Sequence, residues 1–511
     1  MKYLIFISLF LLSATASAQE PAVADSILMH QQSRQNFEAA KWGATQLIGS
    51  RISKLSVVGL SYFHQQGHFR TAQQAEKTSN ARFAAEGISS IDRFKLYGYF
   101  SFDRTWQDSL AFSQKGIEDD FTPYYYIAGK AGKFERQRYL GGGIINYSLI
   151  RDKLFIGTGI DYLYHTSARS VDPRSMVTTF SLKFNPTISY KISNHLIGAG
   201  ITAGYGDEKV AIDYKNDDFK GTLLYPDRIS YLNYGYGYLE INQSDFIRRN
   251  KFTGVNLNYV LDLSQWNIQG RLRYLISKED NQYPKTNSIN DETFGSFQLE
   301  TYALDVVLNH NGVGGQTDQL VLNMAQYNGD DHLVKLAARN YTYNATAISA
   351  SYRHAHYQKE QPYFSYFASL AYQDTYQRDA AADHTSSFTY LHPTIGATLH
   401  VEQQHKNLFS VQLGIGARLP LQNELVVPVT QYVNFTQGVA FPDYWYWASK
   451  VGEINTAFNY STSQLFSKFR TGFELNGTYL RKLSMPPVTI ATPFVPGKDN
   501  FSLSLGAKLY F

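Results

Sequence analysis

The chain contains no cysteine. That excludes disulfides, thiolate metal sites and a lipid-modified N-terminal cysteine. It suits a protein that passes unfolded through an oxidising compartment. Charge is sparse as well: 18% of residues are Asp, Glu, Lys or Arg, against about a quarter in an ordinary domain. A formal net charge of +4 over 511 residues, with no long basic run, argues against nucleic acid as a partner. Past residue 18 no stretch of about 18 apolar residues occurs, so no transmembrane helix is expected in the mature chain. Walker loops, His-Glu-x-x-His and Gly-x-Ser-x-Gly motifs are missing too. No enzyme activity, cofactor or metal site is therefore expected.

Aromatic residues are abundant, at 15% with 39 Tyr. Tyr and Trp carry an apolar body and a polar tip, and gather where apolar and wet phases meet. The N-terminus, MKYLIFISLFLLSATASAQE, has a basic start, an apolar run of signal-peptide length, and small residues Ala16 and Ala18 at −3 and −1. It reads as a secretory signal peptide over residues 1–18, cleaved after Ala18.

Most of the remainder alternates with the period of a β-strand. In FSLKFNPTISYK, Phe180, Leu182, Phe184, Ile188 and Tyr190 share one face and Ser181, Lys183, Asn185 and Lys191 the other. QWNIQGRLRYLI sets Trp266, Leu272 and Tyr274 against Arg271 and Arg273. NLFSVQLGIGARLP sets Leu413, Ile415 and Leu419 against Gln412 and Arg418. KFRTGFELNGTY sets Phe469, Phe473 and Leu475 against Arg470 and Glu474. These strands reach ten residues or more, where soluble strands average about five or six. Arg or Lys facing lipid at mid-depth would cost about 2–4 kcal/mol each. The charged faces must then line a wet interior, and the apolar faces must meet lipid. Lys183, Arg271, Arg273, Arg418, Arg470 and Glu474 are the candidate lumen-lining residues. Their basic bias predicts weak anion preference.

Connections alternate short and long. Short turns are expected near Ser89-Ser90, Arg151-Asp152, Ser193-Asn194, Ser264-Gln265, Gln358–Gln361, Gln403–Lys406 and Ser461–Gln464. Long loops are expected near 105–132, 166–176, 206–249, 278–292, 327–341, 376–386, 419–447 and 482–497. The pattern predicts an all-β, transmembrane, antiparallel up-and-down β-barrel with short periplasmic turns and long extracellular loops. About sixteen strands follow Asp92, and a hairpin near Ile52–Gly87 makes about eighteen. The barrel is expected over residues 51–511. Residues 19–50 read as a short N-terminal helical segment with Gly49 as its stop, either packed at the barrel mouth on the periplasmic side or plugging the lumen.

The last strand, Ser504-Leu505-Gly506-Ala507-Lys508-Leu509-Tyr510-Phe511, resembles the C-terminal signal of bacterial outer-membrane β-barrel proteins in Ser504, Gly506, Leu509 and Phe511. The resemblance implies recognition by the barrel-assembly machinery and closure against the first strand. The chain also looks like one of the uncharacterised outer-membrane barrel families of Bacteroidota, a likeness that includes ARFAAEGISSIDRFKLYGYFSF. That implies a Gram-negative outer membrane, contact with its lipid and lipopolysaccharide, and a TonB-dependent receptor as a neighbour.

Two loops are rich in rings. Tyr234, Tyr236 and Tyr238 in one, and Tyr444, Trp445, Tyr446 and Trp447 in the other, are candidates to stack on a flat ligand. The competing reading is loop packing or a membrane-surface belt. His354 and His356 share a strand face and read as polar wall residues before they read as a metal site. Three functions remain in view: a porin-like channel or uptake pore for small solutes, a plugged barrel acting as a ligand-binding or scaffold partner of a transport system, and an outer-membrane hydrolase.

Overall fold

The structure is a computed structural model that describes residues 31–220, 224–284, 292–312, 315–358, 361–403, 407–428, 433–466 and 469–511. The signal sequence with Ala16 and Ala18 lies outside these residues.

Eighteen strands form one closed antiparallel barrel of the outer-membrane type. The first five are β1 (Lys54–Gly67), β2 (Lys77–Ile91), β3 (Phe94–Leu110), β5 (Gly132–Ile150) and β6 (Leu154–Arg169). Then come β7 (Arg174–Ile192), β8 (His195–Asp213), β11 (Phe246–Asp262), β12 (Trp266–Tyr283), β13 (Glu292–Asn311) and β14 (Gln316–Leu333). The wall is completed by β15 (Tyr341–Gln358), β16 (Gln361–Asp379), β17 (His384–Gln403), β18 (Asn407–Val426), β19 (Lys450–Phe466), β20 (Phe469–Ser484) and β21 (Asp499–Tyr510). The remaining three, β4 (Tyr124–Ile127), β9 (Tyr231–Tyr234) and β10 (Leu239–Ile241), make a separate small sheet from loop residues. Each wall strand pairs with the next, and β21 pairs with β1 from Val57↔Tyr510 to Gly67↔Asn500. Closure removes the exposed edges that an open sheet would carry.

The alternation sorts the side chains. Ile188, Ile192, Ile197, Ile201, Leu413, Ile415 and Leu505 are large apolar residues at about half exposure on the outer face, while their strand neighbours point inward. Outer-face aromatics gather at two levels. Phe180 lies 5.7 Å from Tyr162 and 5.8 Å from Tyr205, centroid to centroid. At the other level Tyr190 stands exposed and Phe94 packs on Tyr147 at 5.0 Å. On β7 the two levels are ten residues apart. At about 3.3 Å per residue and a tilt of about 40°, that is about 25 Å, the height of a lipid-facing band. No helix among the described residues is long and apolar enough to cross a membrane; the strands have that length.

Sixteen barrel strands follow Asp92 and the β1–β2 hairpin precedes it. Several turn positions differ from expectation. The turn expected at Ser89-Ser90 falls at Asp92-Arg93, where Asp92 takes a φ of 49°, because β2 stays in register with β3 out to Ile91↔Phe94. The turn expected at Ser461–Gln464 is part of β19, which runs on to Phe466 past a register shift. The loop expected over 206–249 spans only 214–245, since β8 and β11 pair as far as Val210↔Phe246. Strands of up to 20 residues exceed the 9–11 or so that span a bilayer. Their far ends stand beyond it, as paired ribbon.

Candidate functional site

The lumen is occupied from both ends. At the short-turn end, residues 31–50 enter it as α1 (Gln31–Ala40) and α2 (Ala44–Gly49). The wall is built to receive them. Leu55, Ile88, Tyr97 and Ile144 form one lateral row across β1, β2, β3 and β5. All four point inward, against the rule that the lumen face is polar. With Val57 and Tyr510 they bury Phe37, Ala40, Ala44 and Leu47. Beside this apolar patch, α2 lies against backbone. A Cβ on Gly198 would come within 2.0 Å of the Thr45 Oγ1, and one on Gly157 within 2.9 Å of the Ala44 Cβ. Those two strands omit side chains where the helix passes.

Polar groups fix the segment. Asn146 Nδ2 donates to the Ala44 carbonyl at 2.9 Å. Thr45 Oγ1 and Ser189 Oγ are 2.9 Å apart. Gln46 donates to the Gly270 carbonyl at 3.0 Å. Gln269 and Asn309 both donate to Asn36 Oδ1, at 3.2 and 2.8 Å. Lys41 is 2.8 Å from both Glu38 and Glu86.

At the long-loop end, three loops fold together as a cap. β4, from the loop after β3, pairs with β9, and β9 pairs with β10, both from the loop after β8. Tyr124, Tyr126, Leu232 and Tyr234 of this small sheet pack on the wall residues Val177, Val210, Phe246 and Phe297. Phe112, Tyr125 and Leu239 pack on Phe435, Val439 and Ala440 from the loop after β18. Two buried carboxylates organise the loop ends. Asp331 accepts from Tyr124 OH and the Asn340 and Tyr341 amides at 2.6–2.7 Å. Asp379 accepts from the Tyr236 and Tyr238 amides at 2.8 Å. Gly237 sits between them at φ 126°, with no room for a Cβ beside the His384 ring; a left-handed residue in that space has to be glycine. Below the sheet, Arg248 lies 2.8 Å from Glu208 and 3.3 Å from Glu279, and it donates to the Tyr124 carbonyl at 2.5 Å.

These contacts place the ring-rich loops. Tyr234 and Trp445 are buried, which corrects the expectation of open stacking surfaces at those two positions: their rings hold the cap together. Tyr236 packs edge-on against Phe435 at 5.1 Å. Tyr238 and Tyr234 both lie under the Lys335 ammonium, at 4.2 and 3.8 Å. Trp447 stacks on Phe388 at 4.3 Å and 3°, and Tyr446 stacks edge-on against Trp447 at 4.9 Å. Tyr444 is half-buried in the helix Phe441–Trp447.

The six lumen residues all face inward, in different surroundings. Arg418 donates to the Tyr446 carbonyl at 2.6 Å and lies over the Tyr446 ring at 4.3 Å, so it belongs to the cap. Arg470 is buried near the short-turn end beside Ser461. Glu474 pairs with Lys508 at 2.7 Å. Arg271 pairs with Asp305 at 2.8 Å and donates to the Trp42 carbonyl of the inserted segment at 2.7 Å. Lys183 and Arg273 face a space between plug and cap. That space comprises a cavity of about 400 Å³ under the cap and one of about 210 Å³ above the plug, and Lys183 lines both. His354 bonds to Asp318 at 2.7 Å, and no group of three or more metal-ligating side chains occurs among the described residues.

One cap carboxyl couples the loops to pH. Asp443 Oδ1 accepts from the Ala72 amide at 2.7 Å. Burial pushes the Asp443 carboxyl up to about 7. The Ala72 amide opposes this, Asp120 adds to it, and Arg70 and Lys115 oppose it. An unfolded Asp titrates near about 4, so between these values the folded cap holds a proton that the unfolded chain has lost. The stability from this group is full below about pH 4 and is lost as pH rises through about 7. With the base-catalysed intrinsic rate divided out, amide protection in 68–76 and 441–447 is expected to be lower at pH 8 than at pH 5, and Asp443→Asn should flatten that difference in protection.

Comparison with known proteins adds the following. A family model described as "Family of unknown function (DUF6850)" matches residues 44–511. No curated protein matches the sequence. The solved structures that align with it include BauA, the ferric preacinetobactin receptor of Acinetobacter baumannii, at 9% identity over 89% of this chain and 80% of that one, with a TM-score of 0.36. The FrpB iron transporter of Neisseria meningitidis aligns at 9% identity over 92% and 83%, with a TM-score of 0.39. OccK9 of Pseudomonas aeruginosa aligns at 10% identity over 90% and 98%, with a TM-score of 0.35.

Proposed function

We propose that this chain, which belongs to the DUF6850 family of unknown function, is an outer-membrane uptake barrel for small solutes that is closed at rest and gated by its own N-terminal segment. The observation that carries this reading is the seat of residues 31–50. An inward apolar row and side-chain-free strand positions are shaped to the segment, while much of its hold is hydrogen bonding between polar groups. A contact of that composition is tight enough to close a pore, and its hydrogen bonds can be exchanged for water when it opens. The aromatic levels and the apolar outer face support a place in the lipid and lipopolysaccharide of a Gram-negative outer membrane. Ser504, Gly506, Leu509 and Phe511 on the closing strand support delivery by the barrel-assembly machinery. Cleavage after Ala18, with Ala16 and Ala18 at −3 and −1, remains part of the reading, as does division of the chain into 1–18, 19–50 and 51–511.

The second reading is a plugged barrel whose inserts never leave, serving as a binding or scaffold partner of a transport system such as a TonB-dependent receptor. The same seat favours it. A lock separates the two. The cysteine-free chain allows Thr45→Cys and Ser189→Cys to be joined with no competing thiol, at positions whose hydroxyl oxygens are already 2.9 Å apart. In cells lacking the wild-type protein, the oxidised double variant should lose solute uptake and regain it on reduction. Uptake unchanged by the lock would discard the gate. A stoichiometric partner recovered equally from locked and unlocked protein would support the scaffold.

A further inference from the structure

The cavity of about 400 Å³ under the cap has a lining that the uptake reading leaves unassigned. Each charged side chain on it has an opposite charge beside it. Lys115 is 3.7 Å from Asp119, Arg248 lies between Glu208 and Glu279, and Lys183 stands opposite Asp161 across β6 and β7. A charged solute would disturb that pairing. The groups left over are neutral. Gln114 is 1% exposed, and among the described residues neither Oε1 nor Nε2 of its amide has a hydrogen-bond partner. Asn250 Oδ1 is buried without a partner as well. Ser181 and Ser277, on the same lining, make no side-chain hydrogen bond to any described residue. Gln114 belongs to the cap: its backbone amide donates to the Tyr126 carbonyl of β4 at 2.9 Å. The other three belong to the wall. Ser181 and Asn250 both lie opposite Gly206, one on either side of β8. Ser277 lies one inward rung below Asn250, opposite Phe252.

We propose that this cavity binds a neutral, multiply hydroxylated solute the size of a sugar, hydrogen-bonded to Gln114 of the cap and to Ser181, Asn250 and Ser277 of the wall, with its C–H faces toward Phe121 and Phe252. A hydroxyl both donates and accepts, as carboxamides and serine hydroxyls do, so one ligand chemistry satisfies all four side chains. Buried polar groups without partners are destabilising, and a ligand that pairs them removes that penalty. A ring-lined wall beside them suits the apolar faces of the same molecule. The volume is that of an ordinary small-molecule site. The inference rests on the reading of the barrel as an uptake device, and deepens it by naming the solute class.

The test uses the full chain in a polyoxyethylene detergent, which carries no sugar, equilibrated overnight with the methyl glycosides of glucose, galactose and mannose and followed by calorimetry. Methyl glucuronide and methyl glucosaminide supply an acid and a base on the same ring, and cyclohexylmethanol supplies the ring with a single hydroxyl. The best neutral glycoside is expected to bind about tenfold or more tighter than each of these three. Gln114→Leu and Asn250→Leu should each weaken it about fivefold. No binding of any neutral glycoside, a charged sugar or cyclohexylmethanol bound as tightly as the best of them, or indifference to both substitutions would overturn the proposal. Heat-modifiable gel migration reports folding of each variant. If neither variant folds, the ratios on the native chain decide. The lock between positions 45 and 189 touches none of these groups. A gate that opens on a barrel with no preference for neutral glycosides discards this solute class and leaves the uptake reading intact. Preference for them in a barrel that never opens does the reverse.

Discussion

Gly198→Val is expected to turn a nearly silent barrel into a steady pore. The isopropyl group starts from a Cβ that would lie 2.0 Å from Thr45 Oγ1 and 2.8 Å from Ser189 Oγ. No adjustment of tenths of an ångström relieves such an overlap, so α2 must leave its seat. In the wall only the Ser189 hydroxyl of β7, opposite Gly198, has to turn aside; β8 is long and valine suits a strand. In planar bilayers the native chain should show little conductance and Gly198→Val large, stable steps. If folded Gly198→Val remains as quiet as the native chain, the N-terminal segment is not what closes the barrel.

Arg248→Met is expected to release the cap. Arg248 is buried between Glu208 and Glu279 and reaches up to the Tyr124 carbonyl of the capping sheet. Removing one member of a buried ionic group leaves the others uncompensated, at a cost of about 3–5 kcal/mol. Here two carboxylates would face each other beneath the sheet. The loss should appear as protease sensitivity in 111–131 and 224–245 with the barrel wall still resistant. The control is the triple variant Arg248→Met, Glu208→Gln, Glu279→Gln, which removes all three charges and should recover much of the protection. If the triple variant is as open as the single one, the hydrogen bond to Tyr124 matters more than the ion group.

The barrel itself was legible in the sequence, and the reason is geometric. A wall with lipid on one side and water on the other forces strict alternation, and β7, β12, β18 and β20 show it residue by residue. Turn positions were less legible. β2 and β19 run a few residues past the polar residues that resembled turns, because pairing with a neighbour outweighs local turn chemistry. The plug was half legible: helical residues could be read in 31–50, but not where they pack. A usable signal was present. Leu55, Ile88, Tyr97 and Ile144 are apolar at inward positions, and such a parity breach marks a surface already covered. The cap was the least legible part. β4 and β9 lie more than a hundred residues apart, and four-residue strands leave no periodicity to detect. The tyrosines of 225–238 stood out by composition, and only their burial shows that several serve packing.

The seat of the plug is drawn from both extremities of the barrel. Leu55 and Val57 belong to its first strand and Tyr510 to its last, and Val57 and Tyr510 stand opposite each other across the closing seam. Until that seam forms, the pocket for Phe37 and Leu47 is incomplete. Residues 31–50 are synthesised before any strand of the wall, yet their place comes into being only when the final strand has joined the first. Chronology along the chain and chronology of assembly therefore run in opposite directions. Occupation of the seat is a record that the circle has closed, and a barrel halted one strand short would carry its stopper loose.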